Sequence, residues 1–295
     1  MVVPAKGWSA VRTFLEMIKF EHSIFALPFA MVGMMWGSRA AYGTPWPGGV
    51  KFLLIVVAMV SCRSAAMAYN RIADRDVDAL NPRTKIRAIP AGLLSLSQAQ
   101  IYTVVAIVVF LGATALINPL AFALSPIALF VTLFYSRTKR FTPLCHLVLG
   151  LSLGIAPAAA WIAATGQLAI PVGYLTLAVA GWTAGFDVIY ALQDVDFDKA
   201  HHLRSIPETL GRSRALWVSR ALHLFAVVCL AVAGFAVGAG PLWFVGVAFA
   251  AALLTYEQSL VKPDDLSRVN LAFFTLNGFV SVGVFVFALA DQLTR

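Results

Sequence analysis

The sequence predicts an all-α integral membrane fold, a bundle of nine transmembrane helices with its active-site cap loops on the cytoplasmic side. Two observations predict the fold class. Of 295 residues, 60% are hydrophobic and only 12% charged, with a mean hydropathy of +0.82, whereas a soluble domain carries about 25% charged residues. The apolar runs are also about 20 residues long, as a helix needs to cross the hydrocarbon core. Barrel strands would alternate polar and apolar instead. The length is read as one domain over residues 1–295.

In chain order, residues 1–20 lack the compact apolar run and cleavage site of a signal peptide. Trp8, Val11, Phe14, Leu15 and Ile18 recur at helical spacing with Lys6, Arg12 and Lys19 between them. That pattern predicts an amphipathic helix lying in the membrane interface. Spans are expected near 21–41, 50–69, 98–116, 119–136, 144–164, 170–190, 214–236, 241–259 and 269–290. Tight hairpins are expected around Asn118-Pro119, from Gly166 to Pro171 and from Gly238 to Pro241, because Gly and Pro punctuate those short connections.

These hairpins hold no Lys or Arg, whereas the longer loops hold Arg71, Arg75, Arg83, Lys85, Arg87, Arg137, Lys139, Arg140, Lys199, Arg204, Arg212, Arg214, Lys262 and Arg268. The positive-inside rule assigns the charged loops to the cytoplasm. An odd number of spans then gives a cytoplasmic N-terminus and a C-terminus outside. The net charge of +8 belongs to these loops, where it meets anionic lipid or phosphate; no nucleic-acid partner is expected. Cys62, Cys145 and Cys229 lie in or beside apolar helices without CxxC spacing and are read as small buried hydrophobes.

Seven of the 14 acidic residues fall in two clusters, Asp74, Asp76, Asp78 and Asp187, Asp194, Asp196, Asp198. Carboxylates are costly beside hydrocarbon, so their concentration points to a bound cation. Asn70, Asp74 and Asp78 lie four apart; Asp187, Tyr190, Asp194 and Asp198 follow i, i+3, i+7, i+11. On a helix each set lines one face. Each cluster closes an even-numbered span and opens a basic loop, which hints at an internal pseudo-repeat. Oxygen-rich stripes of this kind suit Mg²⁺ shared with a diphosphate, since Mg²⁺ takes a few carboxylates plus phosphate oxygens and water. A solvated mixed-charge loop would explain one cluster; two on the same side weigh against it.

With these motifs the chain resembles the UbiA superfamily of intramembrane aromatic prenyltransferases, which has nine spans and the motifs NxxxDxxxD and DxxYxxxDxxxD. They stand here as Asn70, Asp74, Asp78 and as Asp187, Tyr190, Asp194, Asp198. The tail Arg83–Gly92 and the stretch Tyr135–Thr142 also match, and the resemblance covers nearly the whole chain. Its nearest branch is the 4-hydroxybenzoate polyprenyltransferases. One departure is Asn70-Arg71, where many members have Asn-Asp; it leaves open whether the acceptor is 4-hydroxybenzoate or a naphthoate of menaquinone synthesis.

The resemblance implies Mg²⁺-dependent transfer of a polyprenyl group from a polyprenyl diphosphate to an aromatic acid, in quinone biosynthesis in the bacterial inner membrane. Asp74 and Asp78, with Asn70 nearby, would hold one Mg²⁺; Asp194 and Asp198 would hold the other. Asp187 and Tyr190 would sit deeper, near the reacting carbon. Arg87, Lys139, Arg140 and Arg204 are the expected diphosphate contacts. Asp76 and Asp196 fall off the stripes and are expected to be solvated or ion-paired. Arg63, inside the second span, is read either as a clamp for the acceptor carboxylate or as the partner of a deep acid such as Asp187. Glu21 and His22 could border the acceptor pocket. The other histidines share no ligand spacing. Gly33, Gly37, Gly150 and Gly154 are read as helix-packing sites.

Two other classes fit the pattern less well. A secondary transporter would place its acids near the midplane on broken helices, whereas these lie at helix ends. A phosphatidyl-alcohol phosphotransferase would show one aspartate cluster and fewer spans.

Overall fold

The computed structural model describes residues 6–18 and 25–295, and within them the chain is helical, with no strand. An amphipathic helix α1 (Trp8–Met17) is followed by α2 (Leu27–Tyr42), α3 (Gly49–Ala73), the short α4 (Arg75–Leu80), α5 (Leu96–Ile117), α6 (Pro119–Thr138), α7 (Cys145–Thr165) and α8 (Ile170–Ala191). The second half continues with α9 (Val195–Ala200), α10 (Ile206–Leu210), α11 (Arg212–Val237), α12 (Pro241–Leu260) and α13 (Asn277–Leu293), the last preceded by a π-helical turn over Leu271–Leu276. Glu21 and His22 lie outside the described residues.

Local chemistry sets the boundaries. Ser95 and Gln98 form a reciprocal capping box that starts α5, and the Asn118 side chain caps α6 at the Ala121 N–H just before Pro119. Gly166 and Gly238 end α7 and α11 in the left-handed conformation that glycine adopts without strain. Seven segments are long and apolar enough to cross a membrane: those at α3, α5, α6, α7, α8, α11 and Leu271–Leu293. Helices α2 and α12 occupy the other two expected span positions.

Small residues let the helices close. α8 packs between α7 and α11, α2 against α7, and α3 against α5. A Cβ on Gly150 would fall 2.2 Å from the Ala180 carbonyl oxygen of α8, and one on Gly33 2.2 Å from that of Pro157 on α7. Gly37 and Gly154 sit in the same two interfaces. At the amino end, Phe14 of α1 is buried with its ring 4.8 Å from that of Tyr102 on α5, while Trp8 stays exposed.

The hairpin loops and the C-terminus share one end of the bundle. There Asn118 Nδ2 donates to the Ile162 carbonyl at 2.9 Å, Gly240 N–H to Asp291 at 3.0 Å, Arg39 Nε to Gln292 at 2.7 Å, and Tyr42 OH to the Ala164 carbonyl at 2.8 Å. The acidic clusters gather at the opposite end.

One expectation is corrected at that end. Neither aspartate stripe runs on a continuous helix. α3 stops at Ala73, Asp74 (φ −98°, ψ 5°) forms the joint, and Asp78 lies on α4. α8 likewise gives way to a 3₁₀ turn, Leu192–Asp194, and Asp194 (φ −101°, ψ 4°) is the joint to α9, which carries Asp198. Both joints occupy the sparsely populated bridge region of backbone space. The two halves therefore break at equivalent aspartates with matching geometry.

Candidate active site

Two loops bring the acidic clusters together through cations. From the first motif Arg83 reaches across to the second: its Nη2 and Nε fork onto Asp194 at 2.6 and 3.2 Å, and Asn81 Nδ2 adds a contact to the same carboxylate at 3.4 Å. The loop after α6 joins both sides. Lys139 Nζ lies 2.8 Å from Asp198, and Arg140 Nη2 3.6 Å from Asp74. Within the first motif Arg87 Nη1 bridges both oxygens of Asp78, at 2.6 and 2.7 Å. Each of the four expected metal-ligating aspartates thus faces one guanidinium or ammonium.

The pairs are unequal. Asp78, Asp194 and Asp198 are buried, Asp198 completely, whereas Asp74 is partly exposed. Asp198 accepts the Ser205 hydroxyl at its Oδ2 (3.0 Å), but its buried Oδ1 has no hydrogen bond of good geometry although Lys139 is near. Burial, and then the neighbouring Asp78 charge, push the Asp74 carboxyl above its ordinary pKa, outweighing Arg140, Lys139 and Arg71. Burial opposes the charge on Lys139, yet the Asp198 carboxylate overcomes it and holds the ammonium above the usual lysine value. The Arg83 guanidinium is raised in the same way, burial being outweighed by Asp194. Asn70 donates Nδ2 to Asp74 at 3.0 Å and accepts Arg71 at its Oδ1 at 3.0 Å.

This donor set fits Mg²⁺. No three Asp, Glu, His or Cys side chains converge as a ready-made metal cage among the described residues, and Mg²⁺ needs none when phosphate and water complete its shell. Asp74, where burial and the Asp78 charge outweigh the nearby cations and Arg140 stands 3.6 Å away, is where an added cation would relieve the greatest imbalance.

The deeper pair behaves differently. Asp187 of α8 pairs with His146 of α7, Oδ2 to Nδ1 at 2.6 Å, a partner the sequence did not offer. The Tyr190 hydroxyl accepts Arg83 Nη1 at 2.9 Å, and the Tyr190 ring lies 4.2 Å from that of Phe273. Arg204 meets the site through its backbone, its N–H donating to the Lys139 carbonyl at 2.7 Å. Asp76 pairs with Arg75 and Asp196 with Arg212 at the surface.

Beneath the charged end lies an apolar cavity of about 320 Å³ among α3, α5, α6 and α7, with Arg63, Met67, Tyr135 and Leu149 on its wall and Ile117 and Ala163 toward the hairpin end. Met67 precedes Asp74 by about two turns, and Leu149 follows His146 by about one. From Leu149 to Ala163 the wall rises roughly 21 Å at 1.5 Å per residue.

The model of the UbiA prenyltransferase family matches residues 26–279. This chain belongs to the UbiA prenyltransferase family. It is 35% identical over 241 residues to the 4-hydroxybenzoate octaprenyltransferase of Vibrio atlanticus, spanning 80% of this chain and 83% of that one. Among solved structures it resembles the apo form of a UbiA homologue from Aeropyrum pernix K1, with a TM-score of 0.83, 36% identity and coverage of 92% and 98% of the two chains. The fold also matches a UbiA homologue from Archaeoglobus fulgidus bound to DMAPP and Mg²⁺, with a TM-score of 0.75 at 20% identity, covering 96% and 100%.

As a member of this family the chain is a membrane-embedded prenyltransferase. Sequence reasoning missed two residues of this candidate site. Arg83 stood in the quoted motif, but its hold on both Asp194 and Tyr190 depends on a contact 111 positions away. His146 shares no ligand spacing and is tied to Asp187 only by the packing of α7 on α8.

Proposed function

We propose that this protein transfers a polyprenyl group from a polyprenyl diphosphate to the ring carbon of 4-hydroxybenzoate, in ubiquinone-type synthesis. The observation that carries the reading is the four carboxylate–cation pairs at one end of the bundle, about two turns along α3 from an apolar cavity whose wall includes an arginine. The cavity suits a prenyl tail, the charged rim its diphosphate. Bound Mg²⁺ would neutralise the leaving diphosphate, held by Asp74 and Asp78 on one side and Asp194 and Asp198 on the other, with Asn70 as an orienting neighbour. Arg83, Arg87, Lys139 and Arg140, now on those aspartates, are within side-chain swing of a diphosphate, and Arg204 lies in the adjoining loop.

The reaction then needs no covalent enzyme intermediate. The allylic C–O bond breaks, the diphosphate keeps the electron pair, an acceptor ring carbon attacks the allylic cation, and the ring proton is lost. Asp187 and Tyr190 lie one to two turns deeper than Asp194; in this reading both face the cation and Asp187 takes up that proton. Arg63, on the cavity wall, is the clamp for the acceptor carboxylate, its planar fork matching the two oxygens.

Arg71 favours a second acceptor, a dihydroxynaphthoate of menaquinone synthesis, because it puts a cation on Asn70 where many relatives have a carboxylate. The proposed setting is the bacterial inner membrane, crossed nine times, with the charged loops in the cytoplasm. α1 then lies in the interface, and the whole chain acts as one domain.

The test is prenyl transfer in isolated membranes with a long-chain prenyl diphosphate and Mg²⁺, with each acceptor run beside an EDTA control. Metal-dependent product from 4-hydroxybenzoate supports the first reading. Product from the naphthoate alone supports the second. No product from either rejects both.

A further inference from the structure

His146 is 2% exposed and uses both ring nitrogens. Nδ1 lies 2.6 Å from Asp187 Oδ2, and Nε2 faces the Ile206 backbone N–H at 3.3 Å. A backbone N–H can only donate, so Nε2 carries a lone pair and the ring proton sits on Nδ1. The carboxylate alone would favour an imidazolium, but a proton on Nε2 would point at the amide hydrogen of Ile206. The geometry therefore makes His146 a neutral donor to an ionised Asp187 and leaves it no open nitrogen for a substrate proton.

We propose that His146 is the positioning residue of the reaction: its Nδ1–H fixes Asp187, whose second oxygen faces the reacting carbons, and its Nε2 ties that carboxylate to the loop closing the diphosphate side. This rests on the function proposed above. Asp187 keeps 22% of its side-chain surface open, so one face remains available while the other is held. The segment carrying Ile206 also carries Ser205, on Asp198, and Arg204, whose N–H binds the Lys139 carbonyl. A single chain of contacts thus runs from Asp187 through His146 and Ile206–Ser205 to Asp198 and Lys139. It links the place where a proton is lost to the place where diphosphate leaves. The Cys145 thiol also lies beside the ring and is turned toward the Pro143 and Arg204 carbonyls.

The test separates the two ring nitrogens. The amide of His146→Asn stands where Nδ1 stood and can still donate to Asp187; His146→Ala offers nothing. We expect His146→Ala to lower kcat about 100-fold with KM for the prenyl diphosphate changed by no more than about twofold, and His146→Asn to recover kcat to within about fivefold of the unmodified enzyme. In an Asp187→Asn background His146→Ala should cost nothing further, because its role is spent through Asp187. Equal loss in the Asn and Ala variants, or losses that multiply in the double variant, overturn the proposal. Should a variant not fold, NMR of the intact enzyme carrying isotope-labelled histidine decides. A His146 ring protonated at Nδ1 alone upholds the arrangement, and one protonated at Nε2 refutes it. Failure of the unmodified enzyme with both acceptors rejects the acceptor reading, and the same spectrum then judges the histidine by itself.

Discussion

At the scale of single residues, the proposed reaction works by exchange of partners. Arg83, Arg87, Lys139 and Arg140 occupy the aspartates in this state, and the same cations have phosphate to turn to when a metal takes the carboxylates. Removing a carboxylate then costs twice, a metal ligand and the anchor of a cation. Asp74→Ala or Asp194→Ala should reduce prenyl transfer by at least about 100-fold, on the scale of losing one group that stabilises developing charge. Near-normal turnover in either variant would remove the two-metal assignment. Arg63→Ala is expected to raise the acceptor KM roughly tenfold, the loss of one charge-assisted contact, while sparing that of the prenyl diphosphate; an unchanged acceptor KM excludes the clamp. The aspartates were legible in the sequence because their spacing is local and helical. Their partners were legible only as a pool of nearby Arg and Lys, since which cation meets which carboxylate is settled by contacts up to 111 positions apart.

At the scale of elements, the helices themselves follow from apolar runs and caps, and their ends were placed within a few residues by Pro, Gly and Asn. The breaks at Asp74 and Asp194 were not visible, because four-residue spacing reads as one continuous face whether or not the helix bends between its members. The bend has a use: it turns Asp78 and Asp198 inward, where both are buried, instead of onward into the loop. Glycine spacing, by contrast, pointed directly to close packing. Gly150→Ala places a methyl 2.2 Å from the Ala180 carbonyl oxygen and must force α7 from α8, so it should destabilise the protein by about 1–3 kcal/mol. Gly112→Ala on the exposed face of α5 meets nothing within 4 Å and should be neutral or stabilise by up to about 1 kcal/mol. Thermal unfolding of the two variants in one detergent checks the contrast. A Gly150→Ala protein as stable as the parent would mean that the α7–α8 approach is looser than described.

At the scale of the whole molecule, hydropathy and loop charge predict the same end-to-end asymmetry that the packing displays. Seven segments meet the length and composition of a span. The two that do not are read as spans for different reasons. α2 has only 16 residues, and α12 carries Thr255, Glu257, Gln258 and Ser259 in its last turns, so hydropathy alone underrates it. Both run between the ends of the bundle. α2 leaves Arg39 beside Gln292 at the hairpin end, and α12 starts there at Gly240 beside Asp291. Between the second aspartate loop and the C-terminus lie α11, α12 and α13, so if all three cross the bilayer the C-terminus must emerge on the side opposite the aspartate loops, and if α12 does not, it must emerge on the same side. Single cysteines at His202 and Arg295, in a background with Cys62, Cys145 and Cys229 replaced, distinguish these outcomes with a membrane-impermeant maleimide. We expect the position 202 thiol to react only in inside-out vesicles and the position 295 thiol only in intact spheroplasts. Reaction of both from one side would make the number of crossings after position 202 even and move the proposed cytoplasmic address of the active site onto other evidence.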